Sequence, residues 1–161
     1  MIRRTAVAGV GVVVLSTFGV APAHGDNNRL NRSVVADVAV VRQQAGCQSK
    51  LAVRPQLQLA AQWHTLDVLN NRALDGDVGS DGSDPQQRAA AAGYDGRVQE
   101  TVGINPALAI SGLELIRMWY FDPVSLAIMR DCSHTDIGVW SENSLDRTVV
   151  VAVYGSPAPA T

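Results

Sequence analysis

The sequence predicts an α+β fold in which helices cover both faces of a sheet. Three observations predict it. Val149–Val153 is apolar at every position, as a strand buried on both faces requires. Thr135–Trp140 and Thr148–Tyr154 are runs rich in β-branched and aromatic residues. Glu142–Arg147 separates them, so they read as a hairpin. Leu30, Val34, Val38 and Val41 recur at helical spacing and need a surface to pack on.

Taken in order, the chain opens with the marks of an export leader, residues 1–25. Arg3 and Arg4 precede an apolar stretch, Ala6 to Val20, and small residues follow at Ala21–Gly25. The stretch is short for a membrane span, which needs about 20 apolar residues, and an uncleaved anchor is the alternative reading. Cleavage after Gly25 leaves 136 residues, enough for one domain, and no transmembrane segment. The mature chain then carries 11 basic against 15 acidic residues, a net charge of about −4. That balance excludes nucleic acid and anionic membrane surfaces as natural partners.

A first helix is predicted from Arg29 to Gln44, stopped by Gly46. A loop follows through Cys47 and Pro55. Leu57, Ala61, His64 and Val68 mark a second helix, from Gln56 to Asn70. Leu74 to Asp84 is rich in Gly, Asp and Ser and reads as a loop. Asp84, Pro85 and Gln87 fit the cap, first and third positions of a third helix, which Gly93 ends. Val98–Ile104 reads as a short strand. Ser111 with Glu114 forms a capping box for a helix whose buried face is Leu115, Met118 and Trp119. Asp122-Pro123 restarts a helix through Met129. Residues 156–161 read as a disordered tail.

The two cysteines, Cys47 and Cys132, read as a disulfide in an exported chain, with two buried free thiols as the alternative. His64 sits on the apolar face of its helix, where the simplest role is a core histidine bonded to the backbone or to a nearby acid. His134 alternates with Thr135 along the strand, so His134 and Asp136 share a face. Asp75, Asp77, Asp81 and Asp84 loosely follow a calcium loop, but Gln86 stands where a bidentate Glu is needed.

Four blocks carry a family resemblance. Gly79-Ser80-Asp81-Gly82-Ser83-Asp84-Pro85 runs into Arg88 and Ala92-Gly93-Tyr94. Then come Glu100-Thr101, Trp119-Tyr120-Phe121-Asp122-Pro123 and Thr135–Trp140. A helix carrying Leu57, Ala61, His64 and Asp67 precedes them. In this order the blocks resemble the CAP superfamily (cysteine-rich secretory proteins, antigen 5 and pathogenesis-related 1 proteins; the SCP domain), in its bacterial form. The resemblance implies a single domain over 26–155. Its fold would be a three-layer α-β-α sandwich on a mostly antiparallel sheet, with a central cleft.

Members commonly place two His and two acidic residues around that cleft. By resemblance the acids fall at Glu100 and Asp122. One His position falls at Asp77 and the other at Ser125 or Ser133, with His134 adjacent. Two neutral imidazoles suit zinc-like ions, whereas Glu100, Asp122 and Asp77 would make a hard, anionic oxygen site. No resident cofactor is expected, and a divalent cation is the only one this chemistry leaves open. His64 and His134 remain as binding candidates. No metal site is assigned.

The function that follows is a secreted or envelope-associated, non-enzymatic binding module with a degenerate cleft. Its ligand would be a lipid or an extracellular protein. The alternative is a divalent-metal-dependent or carboxylate-based hydrolase that uses Glu100 and Asp122 as an acid/base pair.

Overall fold

The structure, a computed structural model, describes residues 24–159. The expected leader lies outside the described residues except for its last two positions, which begin the first helix. The elements are α1 (His24–Gln44), β1 (Ala52–Val53), α2 (Pro55–Asn70), α3 (Pro85–Ala91), β2 (Gly96–Asn105), α4 (Gly112–Phe121), α5 (Pro123–Arg130), β3 (Asp136–Ser144) and β4 (Arg147–Pro157). The sheet order is β1-β3-β4-β2. β4 runs antiparallel to both neighbours, and only the short β1–β3 pair is parallel.

Val149, Val150, Val151, Ala152 and Val153 are fully buried, as their unbroken apolar run predicts. Each valine so buried is worth about 1.5–3 kcal/mol relative to exposure. Alternate residues of β4 feed two cores. Val150, Ala152 and Tyr154 meet Val34, Val38, Leu115, Trp119 and Met129 from α1, α4 and α5. Val149, Val151 and Val153 meet Leu57, Ala61, Val68, Ala89 and Tyr94 from the α2–α3 side. The molecule is thus the three-layer α-β-α sandwich expected from sequence.

Several boundaries differ. β2 begins at Gly96 rather than Val98, and this gives β4 a partner through Pro157. Residues 156 and 157 therefore belong to a strand and not to a loose tail. The buried face of α4 is Leu115, Ile116 and Trp119, while Met118 is partly exposed. β1 falls inside the expected loop; Ala52 N donates to Thr135 O (2.8 Å) and Arg54 N to Ile137 O (2.9 Å).

Close packing of α2 on the sheet depends on Gly138. A Cβ there would overlap the backbone of Leu57 and Gln58 at the start of α2. The Cys47–Cys132 disulfide joins the loop after α1 to the loop before β3.

Candidate functional site

Strand alternation turns Glu100 of β2 toward α2 and α3, on the same side as Val98 and Val102. The third helix brings it a partner. Asp84 caps α3, accepting from Gln87 N (2.7 Å), while Gln87 Oε1 accepts from Asp84 N (3.0 Å). This capping box and Pro85 fix the first turn, and Arg88 follows one residue later.

Arg88 Nη2 donates to Glu100 Oε1 at 3.0 Å and to Asp77 O at 2.6 Å. Its Nη1 donates to Ser83 O at 2.7 Å. One guanidinium thus pins the 71–84 loop to the sheet. His64, from the third turn of α2, completes the cluster. Its Nε2 lies 2.9 Å from Gly76 O and 3.5 Å from Glu100 Oε1.

All three side chains are buried. Burial pushes the Glu100 carboxyl up to about 8, although Arg88 pulls in the other direction. Burial holds the His64 imidazole below its ordinary value. With Nε2–H donating to Gly76 O, Nδ1 is an acceptor, and it has no partner within the protein. Arg88 Nε and Glu100 Oε2 are likewise buried without a partner.

A groove of about 630 Å³ lies above this cluster, lined by Trp63, Asp67, the 80–83 loop, Gln87 and the two buried side chains His64 and Arg88. Asp67 is locked in place. Its carboxylate accepts from Ser80 N (2.7 Å) and Ser80 Oγ (2.6 Å).

The other sequence candidates go elsewhere. Asp77 is exposed, and its carbonyl rather than its carboxylate bonds Arg88. Asp122 is exposed at the corner between α4 and α5, where it accepts from Ser125 N (2.8 Å) as the cap of α5. That hydrogen bond holds its carboxyl below the usual range. The corner belongs to the opposite helical layer, so the Glu100–Asp122 acid/base pair of the hydrolase reading is not assembled. Asp81 and Asp84 bond Ser83 N and Gln87 N within the loop and the cap. Among the described residues no group of three or more His, Cys, Asp or Glu is arranged to hold a metal ion.

His134 lies on the far side of the sheet from His64. Its Nε2 is 2.8 Å from Gln99 Oε1 and its Nδ1 3.0 Å from Ser156 Oγ. It does not share a face with Asp136, because β3 starts at Asp136 and the alternation does not reach back. Asp136 instead faces α2, where it accepts from Tyr94 Oη (3.0 Å) and Arg54 Nε (2.9 Å).

A second concavity, about 620 Å³, runs between α1 and α4. Val40, Val41, Leu113, Ile116, Tyr120 and Phe121 give it an apolar lining, with Leu113 75 % and Phe121 74 % exposed. Sequence reasoning passed over this groove. Its signal was in α4, where Leu113, Tyr120 and Phe121 are apolar residues left over once Leu115 and Trp119 have filled the core.

No family model matches this sequence, and no curated protein matches it. Solved structures do match. An extracellular SCP-domain protein of Bacillus anthracis superposes with a TM-score of 0.69 at 13 % identity, over 86 % of this chain and 45 % of that one. An outer surface protein of Borrelia burgdorferi gives 0.67 at 16 % identity, over 79 % of this chain and 92 % of that one. The CAP domain of enterococcal PrgA gives 0.56 at 15 % identity, over 86 % and 66 %. The chain therefore spans less than half of the Bacillus protein and most of the Borrelia one.

Proposed function

We propose that this chain, which has the CAP fold, is a secreted binding protein and not an enzyme. Its ligand would be a lipid whose acyl chain lies between α1 and α4. The apolar groove carries the reading. Solvent-facing Leu113 and Phe121 at its mouth are costly in water unless something covers them. At about 620 Å³ its size falls among small-molecule sites. Export is supported by the Cys47–Cys132 disulfide, which persists in oxidising surroundings. The extracellular SCP protein and the outer surface protein that share the fold support it too.

The buried cluster argues against catalysis. Glu100 is held by a guanidinium, and Asp122 stands in another layer. A general base needs access to the proton it removes.

Titration with the fluorescent fatty acid parinaric acid tests the proposal. Saturable binding that Leu113→Asp weakens supports it, since Leu113 is exposed and its loss leaves the core intact. Absence of saturable binding, or binding indifferent to Leu113→Asp, overturns it.

A further inference from the structure

We infer that the free edge of β2 is an interaction surface that pairs with β2 of a second copy of this chain, and that the side chain of Gln86 holds it closed. β2 lies at the end of the sheet, so one side of its main chain has no neighbouring strand. Gly155 O accepts from Thr135 N on the β3 side, and Val98 stands opposite Gly155. The N–H and C=O of Val98, and by alternation those of Gly96, Glu100 and Val102, therefore point away from β4.

Two side chains take part of this row. Gln86 Nε2 donates to Gly96 O at 2.8 Å, and Gln86 Oε1 accepts from Val98 N at 3.1 Å. One amide thus bonds the edge as a peptide group of an added strand would. Further along, Trp119 Nε1 donates to Val102 O at 3.1 Å. Between these two guards, Val98 O, Val102 N and both main-chain groups of Glu100 have no hydrogen-bond partner among the described residues. Glu100 is 6 % exposed although its side chain is 0 % exposed, so what water reaches there is main chain. An open row of this kind invites another strand.

The open groups match one another about a two-fold axis. With two β2 strands antiparallel and Glu100 opposite Glu100, each Glu100 N meets the C=O of the other, and each Val102 N meets Val98 O of the second copy. Val98 and Val102, both half-buried in the single chain, then form two cross-strand apolar pairs. Each Glu100 carboxyl stays bonded to its own Arg88, and the exposed Arg97 falls opposite Gly103 rather than another charge. The Gln86 amide occupies the space that the second strand needs beside Val98. Gln86 is exposed, so it can swing out at the loss of its two hydrogen bonds.

The test is sedimentation velocity of wild type and Gln86→Ala over a concentration series. The variant should dimerise at least about tenfold more tightly, because it no longer gives up those bonds on pairing. The species should stop at a dimer, since two-fold pairing uses up the edge of both copies. Adding Val98→Pro should return the variant to monomer. Its ring blocks the edge, and the N–H it removes is one that β4 does not use. Hydrogen exchange gives a reading that does not depend on the double variant. The Glu100 and Val102 amides of Gln86→Ala should slow as concentration rises. Gln86→Ala no more associated than wild type overturns the proposal. So does association that leaves those two amides unchanged, survives Val98→Pro in a folded protein, or grows beyond a dimer. None of these outcomes touches the acyl-chain reading, whose groove lies between α1 and α4.

Discussion

Arg88 Nη2 stands 3.0 Å from Glu100 Oε1, and both side chains are out of water. The pair spans α3 and β2, while the same Nη2 and Nη1 hold the 71–84 loop through Asp77 O and Ser83 O. The bond to the buried carboxyl, loop anchorage and the floor of the groove thus meet in one residue.

Breaking that pair should be costly. Arg88→Ala leaves a buried carboxyl unpaired and frees the loop carbonyls of Asp77 and Ser83. The expected loss is about 1–3 kcal/mol in denaturant unfolding, the cost of leaving buried acceptors without their donor. Glu100→Gln added to Arg88→Ala should cost less than it does alone, because the two effects share one contact. Strict additivity would mean that the pair contributes nothing.

The pH dependence of stability has a defined sign. Glu100 is raised from 4.5 to about 8 in the folded protein, so the native state holds its proton over a range in which the unfolded chain has released it. Its contribution is complete below pH about 4.5 and is lost as pH rises toward 8. His64 is lowered from 6.5, so its effect runs the other way and is felt on acidification below that value. The window from about 6.5 to 8 therefore isolates the carboxyl. Wild-type stability should fall there relative to Glu100→Gln. A difference between the two that stays flat across the window would show that the carboxyl is not perturbed.

Divalent ions should leave the protein unmoved. Arg88 brings a fixed positive charge against Glu100, and Asp122 lies in the opposite layer. Thermal unfolding with excess Zn²⁺, Ca²⁺ or Mg²⁺ should match the ion-free curve. An ion at 100 times its Kd would add about 2.7 kcal/mol if it bound only the folded state. A rise of that kind, abolished by Glu100→Gln, would restore metal chemistry to the cleft.

Gly138→Ala should be worse than its single methyl group suggests. The added carbon meets the backbone of Leu57 and Gln58, which cannot rotate away as a side chain can. Overpacking of this kind costs about 1–3 kcal/mol, occasionally more. Comparing the melting temperature of this variant with that of Gly76→Ala, where nothing stands within 4 Å, separates the contact from any general effect of losing a glycine.

What could be read in the sequence was mainly local. The caps at Asp84 and Ser111 rest on residues three apart and are formed as expected. The double burial of Val149–Val153 is written in five consecutive residues. What escaped depends on distant partners. β1 is two residues long and exists because Thr135 and Ile137, over 80 positions away, accept its hydrogen bonds. Glu100 was legible as a candidate acid, but not its burial beneath the Arg88 guanidinium. Asp122 was misplaced because matching a motif in order says nothing about which layer a helix corner joins. His134 was misread because the start of a strand decides where alternation begins.

The Cys47–Cys132 bond has a consequence for a chain that has been cut. Its ends are 85 positions apart, and the segment between them includes α2, the 71–84 loop, α3, β2, α4 and α5, so both walls of the polar groove lie inside one covalent ring. The exposed, polar loop is the natural place for a protease to cut. A molecule nicked once there keeps its two pieces tied together and travels as a single species until the bridge is reduced.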